Sequence, residues 1–415
     1  MLVIGKIRSL LFSQTSRDTL ISFTGLGTIA TVGMIFSIIT ARGLGPAAFG
    51  LFSALTALVT LLSSLGDLGI SSALVNFLPK VADRRNVLIS VTFWFQIAVT
   101  LVLTLALMAA GLFHNFIIPG STPQHFITIG VLTGLYVLQG FALGIFNAEK
   151  KFLRASILQG SDSIIKLIIV TGLFFSRNLN IELAILANVF STFISLIYGF
   201  WGEFRNIRPI FPRAQLAEIF QFSKWIALSR TFGVMVSRVD VILLNLLAGS
   251  FQAGIYSAAS RIALVFALLV SSIGAVTAPR FSAFIRKEDI KSYLKKVALM
   301  VGGISLFMLS TVALAGPIVR IIFGEEYLAA IPVFRAMTLA MIPFLLSVIT
   351  SQPLIYSFNQ PKFFSWITII QVVTIISLDL IFIPRYQALG PTISLGIANV
   401  IVVALSGWKL YRLLK

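Results

Sequence analysis

The sequence predicts an all-α polytopic membrane protein, with about twelve transmembrane helices in two parallel six-helix lobes around a central cavity. Three observations carry that prediction. Hydrophobic residues make up 58% of the 415 positions and charged residues only 11%, with a mean hydropathy of +0.99, whereas soluble domains hold about 25% charged residues. Charge-poor runs of the roughly 20 residues that cross a bilayer recur along the whole chain. Three short landmarks also appear in the same order in each half.

The spans follow from those runs in order. Span 1 (20–41) is followed by the turn "RGLGPAAFG", and span 2 (51–78) closes on Pro79–Lys80. Spans 3 (87–113) and 4 (126–146) flank the loop that carries His114 and His125; span 4 leaves through "FNAEKKF". Spans 5 (155–175) and 6 (181–201) complete the first half, 1–201, and a polar linker at 202–218 leads to the second half, 219–415. There the runs are 219–247, 253–278, 297–318, 329–357, 363–383 and 390–410. With 415 residues over twelve spans, about 35 each, no folded extramembrane domain fits. Basic residues before span 1 resemble the start of a signal peptide, but the apolar run is longer than the usual h-region and lacks a small-residue cleavage site, so it reads as an uncleaved span.

Composition narrows function further. The chain has no cysteine, which removes disulfides, thiolate metal sites and cysteine nucleophiles. The two histidines lack clustered ligands, so neither a metal nor a cofactor is expected. The net charge of +18 is topogenic: with the N-terminus in the cytoplasm, 22 of the 32 Lys and Arg fall in inside segments, four (Arg42, Arg177, Arg320, Arg385) outside, and six within spans. The positive-inside rule then places both termini in the cytoplasm, and the inner basic surface suits anionic lipids. No nucleic-acid partner is expected.

The landmarks explain themselves as a duplication. "GPAAFGLFSA" at 45–54 and "GSFQAGIYSA" at 249–258 are 204 residues apart and each sits on an outer turn. "FLPK" and "APRF" end spans 2 and 8, while "FNAEKKF" and "FNQPKFF" leave spans 4 and 10, at offsets of 200 and 212. Six is even, so the two copies point the same way through the membrane. Parallel repeats of this kind generally hold a substrate path at their interface, and the glycines and small residues of the first motif read as close helix packing.

Ionisable residues well inside spans are functional candidates because they are expensive there. Arg230, Arg238 and Arg261, with Lys166 and Arg335 in lesser roles, are the candidate cationic lining of an anion-binding cavity. Lys224, Arg230 and Arg238 share a sector of about 120° on span 7 at 100° per residue. Lys224 lies near enough to the cytoplasmic end to snorkel. Asp67, Asp240 and Asp379 are candidates for ion coupling or structural pairing. Asp240 and Arg261 lie at similar depth on adjacent spans, so an ion pair between them is the favoured structural reading. Asp379, about four residues from the outer mouth, reads equally as solvated. Asp162 and Lys166, spaced i,i+4, share a face of span 5 and read either as an internal bridge or as cavity lining. Gly316–Pro317 and Ile342–Pro343 mark expected bends.

"RGLGPAAFGLFS" (42–53), "VDVILLN" (239–245) with "QAGIYSAASRIA" (252–263), and "IIFGEEYLAAIPVFRAM" (321–337) resemble the Wzx-type polysaccharide (O-antigen) flippases of the multidrug/oligosaccharidyl-lipid/polysaccharide exporter superfamily. The resemblance spans essentially the whole chain. It implies a transporter, not an enzyme, that flips an undecaprenyl-diphosphate-linked oligosaccharide from the inner to the outer leaflet of a bacterial cytoplasmic membrane. It also implies polysaccharide polymerase and export machinery as partners. Span 1 lacks any ionisable residue, a departure from related lipid flippases that carry arginine there. An ion-coupled drug or small-cation exporter of the same superfamily, which would prefer acidic cavity groups, and a membrane-embedded glycan polymerase or ligase remain the alternatives. No P-loop is present for ATP hydrolysis.

Overall fold

In the computed structural model the backbone is described for residues 14–80, 85–201, 207, 213–284 and 286–415. The N-terminal segment up to 13, the stretch 81–84 with its Arg84, and most of the linker at 202–218 lie outside the described residues. The described chain is helical almost throughout. α1 (Gln14–Gly66) carries span 1 and most of span 2, and α2 (Ile70–Phe77) finishes span 2. Then follow α3 (Arg85–Ala110), α4 (Pro123–Ala148), α5 (Phe152–Phe175) and α6 (Ile181–Phe200). The second half supplies α7 (Arg213–Ala248), α8 (Ser250–Ala283), α9 (Lys287–Ala313), α10 (Ala330–Tyr356), α11 (Pro361–Tyr386) and α12 (Gly390–Leu414). Among the described residues ten helical stretches are long and apolar enough to cross a membrane, and two of them, Gly27–Gly66 and Lys362–Leu414, each contain two spans joined by a tight turn. The expected twelve are therefore present.

Local signals set the helix ends. Thr122 caps α4 by accepting from the His125 amide (3.3 Å), and the His125 ring accepts from the Thr122 amide (3.1 Å) in return. Asn180 caps α6 by accepting from Leu183 N at 2.8 Å. Such caps satisfy amides that the first helical turn leaves orphaned. Of the two expected bends, the first is a break at Leu314, after which a short helix, Ala315–Phe323, takes Pro317 in its first turn. α10 instead runs continuously through Pro343 and Pro353.

The helices sort into two compact units. The first comprises the chain to Leu44 with Leu55–Val234, and the second comprises Gly45–Ala54 with Met235–Lys415. In the first unit α4 packs against α3, α6 and α2, and α5 packs on α6. In the second α10 is central, contacting α8, α9 and α12, while α11 packs on α12.

The second unit contains both copies of the motif that recurs 204 residues apart, and they pack on each other. Gly45 (φ 72, ψ 169) and Gly249 (φ 87, ψ 167) adopt the same left-handed conformation, which glycine alone enters without strain. One turn on, Gly50 and Gly254 cross backbone to backbone. A Cβ on Gly50 would stand 2.5 Å from the Gly254 amide nitrogen, and one on Gly254 would stand 2.8 Å from the Pro46 carbonyl carbon and 3.1 Å from the Gly50 nitrogen. Phe49, fully buried, sets its ring edge-on to buried Tyr327 at 6.4 Å. The packing reading of the motif is thus observed directly.

Candidate functional site

The ionisable groups fall into three clusters, two in the first unit and one in the second. The first lies at a break in span 2. α1 stops at Gly66, Leu68 (φ 47) and Gly69 (φ 73) turn left-handed, and α2 restarts at Ile70. Gly69 is required on packing grounds as well, because a Cβ there would meet the Ser223 carbonyl oxygen of α7 at 2.5 Å. The Gly66 carbonyl freed by the break accepts from Gln96 Nε2, a fully buried group on α3, at 2.7 Å. Inside the break the buried Asp67 carboxylate is shared. Its Oδ1 accepts from the Ser71 amide (3.3 Å) and is within reach of the Ser71 hydroxyl, which also reaches the Gly140 carbonyl at 2.9 Å. Its Oδ2 accepts from Arg230 Nη1 of α7 at 3.2 Å. Asp67 is 6% exposed at its side chain, but Arg230 is 50% exposed.

The second cluster is closed. Asp162 accepts from Lys166 Nζ (3.0 Å) on its own helix and from Ser191 Oγ (2.8 Å) and Thr192 Oγ1 (2.9 Å) on α6. The Lys166 ammonium also lies 5.7 Å from the Phe36 ring centre. Both charges are matched and largely withdrawn from solvent, so of the two readings open for this pair the geometry favours the internal bridge.

The third cluster, in the second unit, departs from the expected Asp240–Arg261 ion pair. Asp240, buried on α7, instead accepts from Tyr256 Oη of α8 at 2.6 Å. Its other oxygen has no hydrogen-bond partner among the described residues. Asp379 of α11 is fully buried rather than solvated, with the Ser394 hydroxyl beside its carboxylate. That hydroxyl also lies within reach of the Gly390 carbonyl (3.2 Å). Asp240 and Asp379 interact electrostatically, so two buried carboxylates repel one another and are poorly supplied with donors among the described residues. The charge that acts on Arg261 is another cation, Arg238. Both arginines are partly buried. Among the described residues Arg261 has neither a carboxylate nor a carbonyl partner. Arg335, exposed on α10, donates from Nε to the Val312 carbonyl at 3.2 Å, and Lys224 is exposed.

Tyr256 was missed in the sequence, although a signal existed. It is the second-copy counterpart of Phe52, so the duplicated motif differs there by one hydroxyl. Ser71, Gln96, Ser191 and Thr192 gave no such signal. No group of three or more His, Asp or Glu among the described residues is placed to hold a metal ion.

A chain of this architecture has known counterparts. Residues 16–285 match the family described as polysaccharide biosynthesis protein. The chain belongs to that family. Among similar proteins, one from Shigella flexneri, provisionally named an O-antigen transporter, is 23% identical over 388 residues, covering 90% of this chain and 92% of its own. Among solved structures, a lipid II flippase, MurJ, in an inward closed conformation superposes with a TM-score of 0.76 at 16% identity, over 94% of this chain and 87% of that one. An inward-facing multidrug resistance transporter of the MATE family, in the MOP superfamily, gives 0.69 at 16% identity, over 95% and 98%. This family member is therefore a multi-pass membrane protein with the MOP-superfamily fold.

Proposed function

We propose that the protein flips an undecaprenyl-diphosphate-linked oligosaccharide from the inner to the outer leaflet of a bacterial cytoplasmic membrane by alternating access. The observation that carries this reading is Arg261, partly buried within a span, without a counter-charge and with Arg238 as its charged neighbour. A guanidinium such as that of Arg261, within a span and with a like charge acting on it, is unfavourable unless an anion meets it. A diphosphate is suited to that place, since a planar guanidinium binds phosphate oxygens bidentately and stays charged. Family membership and the O-antigen named for the Shigella relative support a glycan-bearing lipid as the cargo.

In this reading Arg238 and Arg261 take the diphosphate, Arg230 assists, and Lys166 and Arg335 are peripheral. The two halves, 1–201 and 219–415, are duplicated units with both termini cytoplasmic, and the polymerase and export machinery act on the delivered product. With the cell interior negative, outward movement of the anion is downhill by about 2.3 kcal/mol per charge per 100 mV.

The buried pair Asp240 and Asp379 favours a second element. Two buried carboxylates that repel one another favour a proton on one of them or a small cation nearby, which fits ion coupling and keeps an ion-coupled exporter of small molecules as the second reading. The test is depletion of the protein in its host. Lipid-linked sugar should accumulate on the cytoplasmic side, and Arg238→Glu or Arg261→Gln should fail to clear it at normal protein level. Full clearance by both variants would remove the cationic site, and a drug-sensitivity phenotype without sugar accumulation would select the second reading.

A further inference from the structure

We infer that Asp67 is a displaceable counter-ion for Arg230, so that an anionic headgroup taking Arg230 also releases the break in span 2. The inference deepens the proposed function and rests on its diphosphate cargo.

Four features of the first unit converge on it. The Arg230 guanidinium is half-exposed, and a half-exposed charge inside an apolar span is tolerable only where water reaches it. Its bond to Asp67 is single and involves one nitrogen, Nη1, at 3.2 Å. The rest of its planar fork remains available for the bidentate geometry that phosphate oxygens prefer. Asp67, by contrast, is buried, and Arg230 is its only cationic partner among the described residues.

The same carboxylate is built into the break. Its Oδ1 holds the first turn of α2 through the Ser71 amide and hydroxyl, and Ser71 in turn reaches the Gly140 carbonyl of α4. The break itself rests on α7, since Gly69 lies against the backbone of Ser223 and Ala227. Removing Arg230 from Asp67 therefore leaves a buried carboxylate without its counter-charge, at the one place in span 2 where the backbone is already left-handed. A buried charge that loses its partner is strongly unfavourable, so Asp67 and the α2 start must rearrange when a phosphate captures Arg230. Asp67 is a positioning residue: it sets the availability of Arg230 and transmits its capture to span 2.

The test uses the purified full chain, undecaprenyl diphosphate in detergent micelles for binding, and the same lipid carrying one sugar in proteoliposomes for translocation. Asp67→Asn should bind undecaprenyl diphosphate about three- to tenfold more tightly, the scale of a partly exposed ion pair removed from competition, while translocation slows. Asp67→Glu should restore wild-type behaviour. A merely structural pair predicts the opposite split: lower thermal stability, with affinity unchanged or weaker, and that result overturns the inference.

If Asp67→Asn does not fold, Arg230→Lys carries the test. It keeps the charge, loses the planar fork, and should weaken binding several-fold at unchanged melting temperature; wild-type affinity would overturn the inference. If the wild type itself shows no preference for undecaprenyl diphosphate over undecaprenol, the proposed function fails as well. If that preference is lost in Arg238→Glu but Asp67→Asn is unchanged in both assays, only the Asp67 inference fails.

Discussion

Gly254→Ala adds one methyl group at the place where the two motif copies cross. Its Cβ would collide with the Pro46 carbonyl oxygen and sit 2.8 Å from the Pro46 carbonyl carbon and 3.1 Å from the Gly50 nitrogen, against 3.4 Å for the start of ordinary contact. All three opposing atoms are backbone, so no side chain can rotate away, and the segments must separate by more than the 0.6 Å that divides 2.8 from 3.4 Å, because the oxygen stands nearer still. Overpacking that only a backbone shift can relieve costs about 3 kcal/mol or more. Alanine regains up to about 1 kcal/mol of helix propensity over glycine, so a net loss of at least about 2 kcal/mol is expected. Gly303→Ala in α9 is the matched control, because nothing lies within 4 Å of a Cβ there, and the propensity term alone should stabilise it. The assay is thermal unfolding of the purified variants in one detergent. Gly50→Ala should behave like Gly254→Ala, and the double variant should lose less than the sum, since the first wedge has already opened the crossing. Equal or higher melting temperatures for Gly254→Ala and Gly303→Ala alike would refute the argument.

Three further outcomes follow from the second unit. Tyr256→Phe restores the first copy's residue at the equivalent position but removes the hydroxyl that donates to Asp240 Oδ2 (2.6 Å), and should destabilise by about 1–3 kcal/mol. An unchanged melting temperature would show that the bond is dispensable. Asp379→Asn removes a charge from a fully buried group that Asp240 repels; stability should be unchanged or higher, while any dependence of transport on a cation or proton gradient is lost. Reconstituted translocation with and without each gradient checks it. Arg261→Gln should melt no lower than the wild type, having no partner to abandon, yet fail in lipid-linked sugar export measured in cells.

The reach of the sequence depends on the range of each interaction. Twelve spans are legible because every one must be apolar for about 20 residues, and the crossing of the duplicated motif is legible because glycine twice marks the same backbone. The Asp162–Lys166 bridge is legible at i,i+4, but its other two donors lie 29 and 30 residues away on α6. The Asp67–Arg230 pair joins positions 163 apart, and nothing in either local stretch names the other. The expected Asp240–Arg261 pair failed for a related reason. Counting from the turn fixes depth, whereas rotation about each helix axis decides which side chains meet, and that is set by tertiary packing. Asp379 shows the same limit, since nearness to a helix end does not make a residue solvated when neighbouring helices cover it.

That contrast sharpens where function resides. Among the described residues of the first unit the buried charges have partners: Asp162 has Lys166 and two hydroxyls, and Asp67 has Arg230 and Ser71. In the second unit Arg261 lies beside a like charge, and the buried carboxylates of Asp240 and Asp379 repel one another. A duplicated frame would tolerate matched charges in both copies at little penalty, because pairing offsets desolvation. Unmatched charges lower stability and confer nothing on the resting fold, so their retention in one unit is best explained by groups that arrive from outside. An anion is the complement of the arginines and a cation or proton that of the carboxylates. Binding either should therefore stabilise the protein, as any ligand of the folded state does. Undecaprenyl diphosphate should raise the melting temperature of the wild type but not of Arg261→Gln, and an equal rise in both would mean that the lipid binds elsewhere.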